Sequence, residues 1–261
     1  MQQLDFLKLI VDESSVCPYL NGQTARMPLS LPDGKVTGHQ FDLILSAGYR
    51  RSGWFFYRTH CQTCRACEPL RIEVAKFNES RSMRRVRRLG DEHLQMQVAA
   101  PVLDDERLRV FNAHRAGRKL DRGEPEADAS DYSSFLLNSA CEVLELSFWD
   151  RDRLVAVSIT DVGENSLSAV YCYFDPAYSS LSPGTYAILN QISLATKDGY
   201  KWVYLGMFVA DNAHLCYKAR FGPHERLRDG QWQPFAPVLI DKSAAMKTTP
   251  DSLPNSEIEY E

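Results

Sequence analysis

Three cysteines, Cys61, Cys64 and Cys67, fall in the run HCQTCRACEP. A C-x2-C-x2-C spacing holds thiolates close enough to share a metal ion, and Cys17, in CPYL, is placed to supply a fourth from a distant loop. Four thiolates suit zinc or an iron–sulfur cluster, and His60 is a spare ligand. The competing reading is a set of reduced structural thiols. Cys141, Cys172 and Cys216 lie in apolar stretches and read as buried core thiols. A second constellation is cationic. In SRSMRRVRRLGD, Arg81, Arg84, Arg85 and Arg88 follow the i, i+3, i+4, i+7 rule and share one helical face. Such a face suits phosphate, which arginine grips with a bidentate fork. The plainer alternative is a solvated helix. GYRRSG adds a tight cationic turn, with Arg50 and Arg51 between Gly48 and Gly53.

The elements that must position these groups follow from pattern and breakers. FDLILSAGY (41–49), WFFYR (54–58) and PLRIEVAKF (69–77) read as strands. Ser80 caps the arginine helix and Gly90 ends it. Residues 104–116 read as a helix, GRKLDRGEPEADASD as a loop and DYSSFLLNS as a short helix. CEVLELSFWD and RLVAVSITDVG form a hairpin, and SLSAVYCYFDP is the next strand, broken at Pro176. SPGTYAILNQISLATKDGY is an amphipathic helix, capped by Ser182, with Pro183 at its first position and Gly199 at its end. KWVYLGMFV is a strand, DNAHLCYKARFG a short helix and residues 235–240 an edge strand. From Ser243 the chain reads as a flexible acidic tail. The order strand, strand, strand, helix, strand, helix is an α+β pattern with a mixed sheet.

Composition bounds the function. The 261 residues are 44% hydrophobic and 25% charged, an ordinary soluble mixture. A net charge of -4 excludes a global basic field, so any nucleic-acid surface is local. No apolar stretch is long enough to cross a bilayer, and the start, carrying Asp5, Asp12 and Glu13, does not read as a signal peptide. A cytoplasmic protein without membrane contact is expected. There is no G-x-G-x-x-G and no P-loop. The absence of a coiled-coil pattern gives a monomer as the expectation.

Several stretches, CPYLNGQTARMPL, GYRRSGWFFYRTHCQTCRACEPLRI, SRSMRRVRRL, VYCYFDP, LSPGTYAILNQI, YLGMFV and YKARFGPHERL, together resemble the bacterial aspartate/glutamate leucyltransferases, relatives of the eukaryotic arginyl-tRNA-protein transferases. The resemblance runs over residues 14–240. It implies a cysteine- and arginine-rich N-terminal region, residues 1–100, before a GNAT-like transferase domain, residues 101–242, and the tail, 243–261. It implies transfer of leucine from Leu-tRNA to the N-terminal Asp or Glu of proteins, marking them for N-degron degradation, so that downstream degradation machinery is an indirect partner. The related arginyltransferases carry a cysteine set reported to hold an iron–sulfur cluster. Leu20 stands where their second cysteine falls, so that geometry does not carry over unchanged.

An aminoacyl-tRNA ester is already activated, so forming an amide from it needs no ATP and no cofactor. The enzyme must orient a neutral amine, accept its proton and stabilise an oxyanion. Under the resemblance, Arg50 and Arg51, with Arg71 third, are candidates for the acceptor carboxylate. Ser182, Gly184 and Thr185 occupy the phosphate-binding helix start of a GNAT-type fold, beside Lys218 and the Arg81–Arg88 face as tRNA contacts. Asp175 and Tyr173 are the catalytic candidates. Tyr171, Tyr173 and Asp175 alternate on one strand face, where packing for the tyrosines and a turn cap for Asp175 are the competing roles. An arginyl donor, an acyl-CoA-dependent acetyltransferase and a zinc-type RNA-binding module are the other readings.

Overall fold

The computed structural model describes residues 4–121 and 123–236. The expected tail, and residues 237–240 of the expected last strand, lie outside the described residues. The chain opens with β1 (Leu7–Val11), β2 (Ser14–Val16), β3 (Thr24–Arg26), β4 (Leu29–Pro32), α1 (Gly38–Ser46), β5 (Arg50–Ser52) and β6 (Phe55–Tyr57). Four of these strands form a sheet in the order β1-β4-β6-β5, and β2 and β3 pair as a ribbon.

Then follow β7 (Glu68–Glu73), α2 (Arg81–His93), β8 (Gln95–Ala99), α3 (Asp105–Gly117) and α4 (Ala129–Tyr132). The second half adds β9 (Glu142–Asp150), β10 (Arg153–Val162), β11 (Ser166–Phe174), α5 (Pro183–Asp198), β12 (Trp202–Phe208), β13 (His224–Arg228) and β14 (Gln231–Phe235). These build an eight-stranded mixed sheet in the order β14-β13-β7-β12-β11-β10-β9-β8. Residues 68–99 therefore contribute two strands to the large sheet. Among its described pairs only β11 and β12 run parallel.

Two apolar layers flank the sheet. On one face α5 buries Ile188, Leu189, Ile192 and Ala195 against β7, β11 and β12 residues such as Ile72, Leu167 and Val203. On the other, α3 sets Val110 and Phe111 against Leu154, Val157, Ile159 and Tyr173. Each such side chain adds roughly 1.5–3 kcal/mol of burial.

Most expected elements stand where the sequence puts them; four do not, and one of these is the short helix over 211–222, where the structure has only a 3₁₀ turn at Cys216–Arg220. Residues 41–49 are not a strand but most of α1. Phe41, Ile44 and Leu45 are its buried residues, at i, i+3, i+4, and Thr37 and Gln40 form a reciprocal cap at its start. Residues 74–76 leave the strand for a 3₁₀ turn. Gly90 does not end α2, which runs on to His93. Gly90 faces the ring of Tyr186 on α5, and an added Cβ would stand 2.3 Å from it. The glycine there is a helix-packing residue, not a stop signal.

Gly90→Ala should cost about 1–3 kcal/mol through overpacking. Gly34→Ala, where a Cβ meets nothing within 4 Å, should stay within about 0.5 kcal/mol of the parent. Thermal melts of both variants check the contrast.

Candidate active site

β11 and β12 pair only through Ser166–Ser168 with Trp202–Tyr204. Beyond that the two strands separate, and a cavity of about 710 Å³ opens between them. Val170, Tyr171 and Cys172 of β11 line one side, Leu205 and Met207 of β12 the other, and Gly184 and Ile188 of α5 lie along it. A splayed strand pair leaves backbone groups without a facing strand, and buried backbone groups need partners. Two cations supply them. Arg50 Nη2 donates to Ala169 O on β11 at 2.6 Å, and Lys218 Nζ donates to Met207 O on β12 at 3.0 Å. Arg50 Nη1 also donates to Ser168 Oγ at 2.9 Å. Gly206 makes this possible. A Cβ there would stand 2.9 Å from Arg50 Nη2, and its φ of +83° favours glycine.

The cavity is strongly cationic. Arg50, Arg51, Arg118, Lys218 and Arg220 line it, and none of the lining residues is Asp or Glu. Arg51 is neutralised from behind: its Nε donates to both carboxylate oxygens of the fully buried Asp161, at 2.8 and 3.0 Å. Arg51 Nη2 is nonetheless a buried donor without an acceptor. Arg50, 8% exposed, has no carboxylate partner among the described residues. Burial lowers its pKa below the ordinary arginine value. Burial, with Arg50 adding to it, pushes Lys218 down to about 7. His114 is driven to about 4 by burial and by Arg118, and its Nδ1 accepts the Phe174 N–H at 3.3 Å.

Several expected site residues take other positions. Arg50 and Arg51 are not a surface turn. Both are buried in β5, and as neighbours on a strand they reach opposite ways, to β11 and to β10. Arg71 lies outside the cavity lining. It pairs with Glu225 at 2.7 Å and is stacked between Trp202 and Trp232, 3.8 and 4.2 Å from their ring centroids. Tyr171 lines the cavity, whereas Tyr173 is fully buried, sharing a 2.6 Å hydrogen bond with Tyr132 Oη. Burial and Tyr132 raise the Tyr173 phenol, so it is a packing residue and not an acid.

Asp175 caps the turn after β11, taking the Ala177 N–H at 3.0 Å, and pairs with Arg153 at 2.6 Å. Burial raises its carboxyl, but the Ala177 amide and the arginines outweigh that and hold it below the usual carboxylate range. It is committed elsewhere and is a weak base. Ser182 starts α5 in a left-handed conformation, φ 54°, without a side-chain cap. Its N–H goes to Ser179 O and the Thr185 N–H to Ser182 O, while Pro183 has none. Ser182, Gly184 and Thr185 do line the cavity. Lys218 is half-buried in the cavity wall rather than on an open helix face. Arg81, Arg84, Arg85 and Arg88 are all exposed on the outer face of α2, whose other side packs on α5.

The four cysteines of the N-terminal region gather around Cys67. Burial and the nearby Cys17, Cys61 and Cys64 push its thiol up to about 12. Cys17 Sγ accepts the Leu20 N–H at 3.4 Å and Cys61 Sγ the Arg26 N–H at 3.5 Å. Among the described residues no group of three or more His, Cys, Asp or Glu side chains is arranged to hold a metal ion.

Asp161 and Gly206 are site residues that the sequence reading passed over. Each had a signal: a charge inside the apolar run RLVAVSITDV, and a glycine inside the strand WVYLGMF.

Two family models match the chain. "Arginine-tRNA-protein transferase, N terminus" covers residues 15–85, and "Arginine-tRNA-protein transferase, C terminus" covers residues 106–228. Among curated proteins, the aspartate/glutamate leucyltransferase of Thiobacillus denitrificans is 35% identical, over 83% of this chain and 90% of that protein. Those of Methylobacillus flagellatus (33%, 89% and 94%) and Aeromonas hydrophila (34%, 87% and 94%) match similarly. Among solved structures, FemX matches at 10% identity with a TM-score of 0.43, over 71% of this chain and 64% of that one. L-PGS from Bacillus licheniformis matches at 13% and 0.41, over 58% and 49%.

Asp161→Asn removes the charge that faces Arg51 and leaves a buried cation unpaired. It should destabilise the fold by about 3–5 kcal/mol, read by urea denaturation. Asp175→Asn, at the more open Arg153 contact, should cost less.

Proposed function

The chain belongs to the arginine-tRNA-protein transferase family, and on that footing we propose that it transfers leucine from Leu-tRNA to the N-terminal Asp or Glu of acceptor proteins, marking them for degradation. One observation carries the choice of donor and acceptor: a cavity lined by five Arg and Lys side chains and by no carboxylate. An acidic N-terminal residue is drawn into such a space. An arginyl donor side chain finds no counter-charge there, whereas a leucyl side chain finds Ile188, Leu205 and Met207. The three relatives named above carry the leucyltransferase name, which also disfavours the arginyl-donor and acyl-CoA readings.

Arg50 is the residue assigned to the acceptor's side-chain carboxylate, because it lines the cavity and has no salt-bridged carboxylate among the described residues. The same cation disfavours a protonated acceptor amine, whose ordinary pKa near ~8 leaves only a minority neutral at pH 7. The amine then attacks the ester carbonyl, and tetrahedral charge develops in a wall already rich in donors. The splayed parallel pair, with α5 starting at its open end, fits a GNAT-like reading of the sheet. The exposed arginines of α2, one helix away from the cavity, are assigned to the tRNA backbone. Cys17, Cys61, Cys64 and Cys67 carry thiols of the right softness for structural zinc or an iron–sulfur cluster, but they are not arranged as a ligand set in this structure, and no step of the transfer is routed through such a group.

Purified protein should move label from Leu-tRNA, and not from Arg-tRNA, into peptides beginning with Asp or Glu but not Ala. Transfer only from Arg-tRNA would overturn the donor, and no transfer from either would overturn the reading. Arg50→Met should raise the KM for the acidic peptide by about 30- to 1000-fold, the loss expected for one partner of a buried charge pair, with donor KM within twofold. Alanine at Arg81, Arg84, Arg85 and Arg88 should flatten the salt dependence of tRNA binding by about 0.7–0.9 log units per log salt for each arginine.

A further inference from the structure

Lys218 sits in a place that neither a phosphate contact nor a surface lysine requires. Its Nζ reaches back into the sheet and donates to Met207 O at 3.0 Å, on the strand that forms one wall of the cavity. The group facing it from β5 is Arg50, a cation with no salt-bridged carboxylate among the described residues. Tyr57, Asp161 and Tyr19 act on Arg50 in turn, and the Asp161 carboxylate is itself bound by Arg51. No carboxylate lines the cavity, and Asp175 is committed to Ala177 and Arg153. His114 spends its Nδ1 lone pair on the Phe174 N–H. Among the described lining residues, Lys218 is thus the one lysine amine, and the neighbouring Arg50 cation together with burial favours its neutral form, with a lone pair left after the bond to Met207 O.

We propose that Lys218 is the general base of the transfer reaction, taking the proton from the acceptor's α-amine as it attacks the aminoacyl ester. The inference rests on the transferase reading above. The acceptor nitrogen forms a bond to the leucyl carbonyl carbon, and its proton passes to Lys218 Nζ, which becomes an ammonium. The bond from that carbon to the ribose oxygen of the tRNA then breaks, and the ribose oxygen takes the proton from Lys218. The products are a peptide bond, an uncharged tRNA and the neutral lysine restored. The pushed-down Lys218, at about 7, is matched to this task at neutral pH.

The test is single-turnover transfer from Leu-tRNA to an Asp-peptide across pH 5.5–9, with Leu-tRNA affinity measured separately. For the parent, the rate should rise through about pH 7 and level off. Lys218→Met and Lys218→Arg should both lose about 100-fold or more, with Leu-tRNA Kd within twofold. Ethylamine should restore Lys218→Ala in proportion to its free base. Stability gives an independent readout. A lowered lysine pKa means the unfolded chain binds more protons between about pH 7 and ~10.4. Lys218→Met should therefore melt higher than the parent below pH 7, and the gain should shrink as pH rises through that window. An active parent with Lys218→Met within threefold and an unchanged pH profile would overturn the base and leave the transferase reading standing. Weaker Leu-tRNA binding with an unchanged saturated rate would also overturn it, in favour of a phosphate contact. A parent inactive with every donor would overturn both.

Discussion

The site depends on one failure of pairing. β11 and β12 run parallel, share three residues of ladder and then part. Parallel strands that separate inside a sheet must satisfy their backbone from somewhere else or fill with water. Here a side chain from each flank takes the place of the missing strand. Arg50 comes in from β5 to Ala169 O, and Lys218 comes in from the short turn after β12 to Met207 O. The cavity and its charge have the same origin, since the groups that mend the open sheet are the groups that make its interior cationic.

The two adjacent arginines of β5 show how position on a strand separates roles. Arg51 reaches a carboxylate buried as deeply as itself, and the pair is costly to break. It ties the N-terminal sheet to β10. Arg50, one residue earlier, points the other way and meets only hydroxyl and carbonyl dipoles. Its charge is available to a ligand because no carboxylate among the described residues forms a salt bridge with it. Gly206 matters for the same reason: any side chain there would occupy the place of the guanidinium. The large sheet and the N-terminal sheet are thus joined through the site, and neither builds it alone.

Much of the secondary structure was legible from local signals. The run from β9 to β12 and the helix α5 follow from alternation, from Pro183 at a helix start and from Gly199 at its end. Reading 41–49 as a strand failed because an apolar run of that length fits either period, and the cap that decides it lies outside the run, at Thr37 and Gln40. Gly90 misled for a related reason. A glycine in a helix pattern marks either an end or a close approach, and only the partner ring of Tyr186 distinguishes them.

The sequence by itself determined the inventory: which residues carry charge, which stretches form strands and helices, and the motif blocks that mark the family. It did not determine which charges remain uncancelled. Asp175 and Tyr173 stood out because they sit at a strand end, yet both are spent elsewhere: Asp175 on Arg153 and on the amide of Ala177 in the turn it caps, and Tyr173 on Tyr132. Lys218 reads from sequence as a tRNA-phosphate contact, yet it turns back onto Met207 O. Pairing, burial and desolvation are properties of what surrounds a group, and much of those surroundings comes from residues distant in the chain, as Arg153 is from Asp175, Tyr132 from Tyr173 and Ala169 from Arg50. Chemistry in this cavity is set by the charges left over after folding, and only the tertiary structure says which those are.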